Sequence, residues 1–105
     1  MNRGAQTKRE VFKTISDHSA RLKELGVKKV GLFGSFVRDE QTPESDIDLL
    51  VQFEPDKKNF DNFMDLSALL ENILRRRVEI VTTEALSPYI GPHIMSEVEY
   101  VSLST

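Results

Sequence analysis

Asp46-Ile47-Asp48-Leu49-Leu50-Val51-Gln52-Phe53 is the stretch around which the rest of the chain falls into order. Its alternation predicts a strand with Ile47, Leu49, Val51 and Phe53 on one face and Asp46, Asp48, Leu50 and Gln52 on the other. Two carboxylates therefore point the same way, about 7 Å apart by strand rise. That pair is unfavourable unless a cation bridges it or one member is protonated. Pro55 ends the strand.

Working outward toward the N-terminus, Gln41-Thr42-Pro43-Glu44-Ser45 reads as a loop by its proline and hydroxyl content, and Ser35-Phe36-Val37-Arg38-Asp39 as one helical turn. Val27 to Phe33 is a short apolar strand closed by Gly34. Before it, Val11, Ile15, Leu22 and Leu25, supported by Phe12, form the stripe of an amphipathic helix from about Thr7 to Leu25, stopped at Gly26. His18 falls on that stripe. With no second ligand at metal-site spacing, it is expected to be a partly buried, hydrogen-bonded histidine.

Toward the C-terminus, a long amphipathic pattern places Phe60, Phe63, Met64, Leu66, Leu70, Ile73 and Leu74 on its buried side. Arg77 to Thr82 is an alternating strand with Val78 and Ile80 on one face and Glu79 and Val81 on the other. Strand, helix and strand suggest a parallel pair joined by a right-handed crossover. Ile94, Met95, Val98 and Val101 predict a last helix from about Pro92 to Val101. The order α-β-α-β-α-β-α gives an α+β fold with one small mixed sheet of three strands, covered by helices on one face. Asp46, Asp48 and Glu79 lie on the other, partly open face.

A chain of 105 residues, 39% apolar and 30% charged, has room for one domain, residues 1–105, with a modest core. Without cysteine there are no disulfides, thiolate nucleophiles or Cys-based zinc sites. No apolar run approaches membrane-spanning length and the N-terminus lacks the apolar segment of a secretory signal, so the expected location is the cytoplasm. A net charge of -3 argues against direct duplex-DNA binding by phosphate neutralisation. Acidic residues nonetheless outnumber basic ones twelve to six between residues 38 and 84, which raises the question of a bound divalent ion.

Mg2+ takes oxygen ligands and keeps several waters, so two or three carboxylates together with phosphate oxygens make a suitable shell. Gly34 at a strand-to-helix junction lets the backbone approach a ligand closely, and the turn that follows aims unpaired N–H groups at phosphate. Ser35 adds a hydroxyl, and Arg38 could meet a phosphate. The plainer alternative is that Ser35 caps the turn and Arg38 pairs with Glu40 or Glu44 on the surface. Other metal and hydrolase chemistries fail on spacing. An EF-hand loop would need an oxygen ligand at Leu50 and a glycine at Val51. His18 and His93 are too far apart in sequence for a zinc helix, and Phe33-Gly34-Ser35-Phe36 is not a nucleophile elbow.

Gly34-Ser35-Phe36-Val37-Arg38, followed by Ser45-Asp46-Ile47-Asp48-Leu49-Leu50-Val51, resembles the signature of the polymerase-beta-like nucleotidyltransferase superfamily, most of all its stand-alone minimal nucleotidyltransferases. The order of elements and the acidic strand Val78-Glu79-Ile80-Val81 extend the likeness over nearly the whole chain. The resemblance implies the nucleotidyltransferase fold, with Asp46 and Asp48 holding two Mg2+ ions as metal and catalytic residues. Gly34, Ser35 and Arg38 would bind the nucleotide, ATP or another nucleoside triphosphate. Glu79 would bind the ion facing the acceptor and help take its proton. The reaction implied is transfer of a nucleoside monophosphate, AMP from ATP, to a hydroxyl. Two positions depart from the pattern: Asp39 replaces a glycine that often follows the arginine, and Glu79 stands where the third carboxylate is more often aspartate.

Larger members of the superfamily carry an acceptor-binding domain for which this chain has no room, so the acceptor is expected on another molecule. Minimal nucleotidyltransferases are commonly paired with a helical HEPN-type protein, frequently a ribonuclease toxin. By similarity this chain would modify a tyrosine of such a partner, within a hetero-oligomer, as its antitoxin. The alternative is a weak or inactive nucleotide-binding antitoxin that acts by stoichiometric complex formation. A partner surface is expected on the first helix and on Ser87-Pro88-Tyr89-Ile90-Gly91-Pro92, unless Tyr89 and Ile90 pack beneath the sheet.

Overall fold

The computed structural model describes residues 4–103; residues 1–3 and 104–105, the ends of the expected domain, lie outside the described residues. Among the described residues a four-stranded mixed sheet is ordered β3-β2-β1-β4, from β1 (Val27–Phe33), β2 (Ile47–Phe53), β3 (Val78–Thr82) and β4 (Glu99–Tyr100). β1 runs antiparallel to β2 and β4, and β2 runs parallel to β3. The α+β class and the mixed sheet are as expected, with one strand more than the three read from the sequence. The added strand is two residues long, and it falls where helical spacing carried the expected last helix on to Val101. That helix, α4 (Gly91–Glu97), stops at Glu97.

The first helix is interrupted. α1 (Lys8–Asp17) and α2 (Ser19–Glu24) meet at His18, whose ring Nδ1 bonds the Thr14 carbonyl at 2.8 Å. That carbonyl is the acceptor His18's own backbone N–H would use in a continuous helix, and the N–H turns instead to the Ile15 and Ser16 carbonyls. His18 is thus the part-buried, hydrogen-bonded residue anticipated, and its bond also explains the break. Thr7 caps α1 by accepting from the Glu10 N–H at 3.1 Å.

The principal core lies between the helices and one sheet face. Val11, Ile15 and Leu22 from α1 and α2, and Leu66, Leu70 and Leu74 from α3 (Phe60–Leu74), close over Val30, Leu32, Ile47, Leu49 and Val51. Each such side chain, fully buried, stabilises the fold by about 1.5–3 kcal/mol. Phe60 and Met64 do not belong to this core: at 75% and 48% exposed they stand outside it. The rest of the expected α3 stripe holds: Leu66, Leu70 and Leu74 are buried, and Phe63 and Ile73 pack half-buried against them.

The opposite sheet face is only partly open. Phe33, Leu50 and Ile94 form a second buried cluster there, flanked by Val81, Leu86 and Val98, so α4 shields the face opposite the one that α1, α2 and α3 cover. Gly31 on β1 permits that packing, because a Cβ there would collide with Val98. What remains uncovered is the end of the face where Asp48 and Glu79 emerge.

Candidate active site

The topology brings three chain segments to one end of the sheet. β1 finishes there, while β2 and β3, both antiparallel to it, begin there. Asp48 is paired in register with Phe33 on one side and with Glu79 on the other. Asp46, one residue before β2, shares the face of Asp48 by strand alternation. Asp46, Asp48, Glu79 and the Gly34-Ser35 turn therefore converge from segments up to 45 positions apart in sequence.

None of these three carboxylates makes a hydrogen bond or an ion pair with the described residues. Burial, then the charges of Glu79 and Asp46, push the Asp48 carboxyl up to about 6, against a smaller opposing pull from Arg38. Such a cluster is short of positive charge. No three acidic or imidazole side chains among the described residues are gathered closely enough to hold one ion unaided. Mg2+ does not require that, because one or two carboxylates with substrate phosphates and water complete its shell. An all-oxygen, unpaired, mutually repelling set fits such a cation.

Gly34 turns the chain at the end of β1 with φ +80, and a Cβ at this position would overlap Asp48 Oδ2. Only glycine gives both the backbone angle and the space. Residues Gly34–Phe36 form a short 3-10 turn, and the Ser35 hydroxyl makes no hydrogen bond with the described residues. Arg38 donates from Nε to Glu40 Oε1 at 3.0 Å, as the plainer reading anticipated. From Nη1 it also donates to Glu97 Oε1 at 2.9 Å and Oε2 at 3.2 Å.

Glu97 was not singled out from the sequence. It accepts the Gly34 N–H on Oε2 at 2.8 Å. Burial alone would raise its carboxyl, but the Gly34 N–H and the Arg38 guanidinium outweigh that and hold it below the ordinary glutamate range. Nothing local marks Glu97 in the sequence. The signal is one of register: continued two residues past the Leu32–Glu99 pair, the antiparallel β1–β4 alignment would bring Glu97 opposite Gly34.

Asp39, the first departure from the family pattern, has φ +60. A glycine there answers a left-handed backbone, which aspartate also tolerates. Its exposed carboxylate accepts from Gln41 Nε2 at 3.5 Å and is not among the charges that act on Asp48. A hollow of about 570 Å³ lined by Gln6, Gln41, Thr42, Pro43 and Arg76 includes none of the three carboxylates.

Residues 15–101 match the nucleotidyltransferase domain family. This chain belongs to that family. Protein adenylyltransferase MntA of Thermococcus cleftensis is 36% identical over 96 residues, covering 90% of this chain and 96% of its own. A solved structure provisionally described as a minimal nucleotidyltransferase superposes with a TM-score of 0.76 at 30% identity, over 91% of this chain and 98% of that one. The same fold recurs in a structure of tri-AMPylated Shewanella oneidensis HEPN toxin in complex with MNT antitoxin. The TM-score there is 0.60 at 17% identity, over 87% of this chain and 71% of that one. The resemblance read from Gly34-Ser35 and Asp46-x-Asp48 is thereby borne out at the level of family, fold and nucleotidyltransferase class. Among the described residues no helix is long and apolar enough to cross a membrane.

Proposed function

We propose that this chain transfers AMP from ATP to a hydroxyl, with a tyrosine of a helical HEPN-type partner as acceptor, and restrains that partner as its antitoxin. The observation that carries the reading is the set of unpaired carboxylates Asp46, Asp48 and Glu79 beside the Gly34-Ser35 turn. The partner and acceptor are supported by the relative named MntA and by the fold's recurrence in the AMPylated toxin complex.

Asp46 and Asp48 would hold Mg2+, which when bound supplies charge neutralisation at the triphosphate and lowers the pKa of the attacking hydroxyl. The Ser35 hydroxyl, the N–H groups of the turn and the outer edge of Arg38 would bind the triphosphate oxygens. The acceptor oxygen bonds to the α-phosphorus as the bond from that phosphorus to the bridging oxygen breaks, and pyrophosphate leaves. Glu79, exposed and in register with Asp48, would take the acceptor's proton.

Incubation with the HEPN-type partner and Mg2+ tests this directly, using ATP labelled at either the α- or the γ-phosphate. Covalent label on the partner from α-labelled ATP alone is the expected result. Restraint of the toxin with no label transferred would instead establish stoichiometric complex formation, and label from the γ-position would make the chain a kinase.

A further inference from the structure

We propose that Glu97 is a positioning residue of the nucleotide site, fixing the Gly34 turn and the Arg38 guanidinium in the arrangement a triphosphate requires. The proposal rests on the nucleotide-transfer reading above and assigns a role to a residue outside the sequence signature.

Both oxygens of the carboxylate are engaged. Oε2 takes the Gly34 N–H at 2.8 Å, and the pair together take Arg38 Nη1 at 2.9 and 3.2 Å. One side chain thus ties the backbone at the start of the turn to the cation at its far end, four residues on. The Glu97 side chain is 15% exposed and that of Arg38 43%, so the carboxylate is the enclosed anchor and the guanidinium faces solvent. Glu40 holds Nε. Nη2 has no partner among the described residues, which leaves an arginine clamped on two sides and open on the third. An open guanidinium edge suits a phosphate.

The backbone of Glu97 is itself fixed. It closes α4 and lies two residues before β4, which pairs with β1 next to the Gly34 turn. Without the carboxylate, the Gly34 N–H, in a turn already committed to φ +80, would lose its acceptor. Arg38 would also be released beside the unpaired carboxylates that the metal needs. Glu97 therefore holds Arg38 back from pairing with Asp48 while leaving its open edge to the anion. Displacement of Glu97 by the triphosphate is the opposite role; it would demand breaking three hydrogen bonds of a largely enclosed group.

The test compares the full chain with Glu97→Gln and Glu97→Ala, measuring melting temperature, steady-state label transfer and ATP affinity in Mg2+. Glutamine keeps an acceptor for the Gly34 N–H and loses the charge that holds Arg38. We expect KM for ATP to rise about tenfold in Glu97→Ala and less in Glu97→Gln, with kcat within about threefold, because the loss is of binding geometry and not of a reacting group. Adding Arg38→Ala to Glu97→Ala should then cost little more, since the two act as one unit. The amide proton of Gly34 should shift in Glu97→Ala and keep most of its position in Glu97→Gln. Unchanged KM in both variants, tighter ATP binding on removal of the carboxylate, or losses that follow melting temperature alone would overturn the role. A wild-type chain that neither binds ATP nor transfers label overturns the nucleotide reading itself, a result distinct from any difference between variants.

Discussion

The space a Cβ would occupy on Gly34 is filled by Asp48 Oδ2. The glycine of the turn and the central carboxylate of β2 are thus one packed unit. Gly34→Ala must strain a backbone at φ +80 and displace Asp48, a combined cost of about 1–3 kcal/mol. The variant should melt several degrees lower and bind ATP more weakly than the wild type. A thermal scan and a nucleotide titration check it, and unaltered melting would mean that the turn relaxes away from Asp48.

The raised carboxyl of Asp48 fixes the sign of a pH effect. Its folded-state pKa of about 6 lies above the ordinary aspartate value of 3.8, so the ionised form opposes folding above pH 6. That opposition fades as pH falls from about 6 to about 4. Partial solvent exposure limits the effect to about 1 kcal/mol, a few degrees of melting temperature in a chain of this size. Without divalent ion, the wild type should melt higher at pH 5 than at pH 7.5 relative to Asp48→Asn, which lacks the titrating group. Mg2+ should restore wild-type stability at pH 7.5 and have little effect on the variant. A pH-independent difference between the two proteins would remove Asp48 as the source.

Glu79 is exposed and contributes nothing to either buried cluster. Glu79→Gln should leave melting within about 0.5 kcal/mol of the wild type. If it serves as the acceptor's base, kcat for label transfer should fall about 10²–10⁴-fold with little change in ATP affinity. An equal loss in ATP binding would make it a nucleotide ligand instead.

The parts of the fold legible in the sequence are those whose neighbours in space are set by local period. β1, β2, α3 and β3 follow from alternation or from a helical stripe, and Asp46, Asp48 and Glu79 share a face because strand parity requires it. The break at His18 was hidden because the stripe on either side continues in phase. Phe60 and Met64 obey the helical period of α3 at its first turns, yet among the described residues no opposing element buries them there. Glu97 was invisible for a different reason: its partners Gly34 and Arg38 lie 63 and 59 positions away, and only the pairing of β4 with β1 brings them together. The same missing pairing let Val98 and Val101 pass as helix.

The segment expected to meet a partner is exposed. Tyr89 is 91% exposed and Ile90 51%, so neither packs beneath the sheet. Met95 on α4 is also 49% exposed. The Ser87 hydroxyl accepts from the Tyr89 and Ile90 N–H groups at 3.3 and 3.1 Å, fixing the segment that presents them. A rigid, exposed aromatic and aliphatic pair loses little conformational freedom on binding, the property of an interface anchor. Replacing Tyr89 and Ile90 with serine should weaken complex formation with the helical partner by about 2 kcal/mol or more. Melting of the free chain should stay within about 0.5 kcal/mol, because neither side chain contributes to a core. Label transfer to the partner should fall while ATP binding by the isolated chain is retained. Calorimetry with the partner and a thermal scan of the free chain separate the cases: unfolding of the free variant, or undiminished complex formation, would show that the partner docks elsewhere.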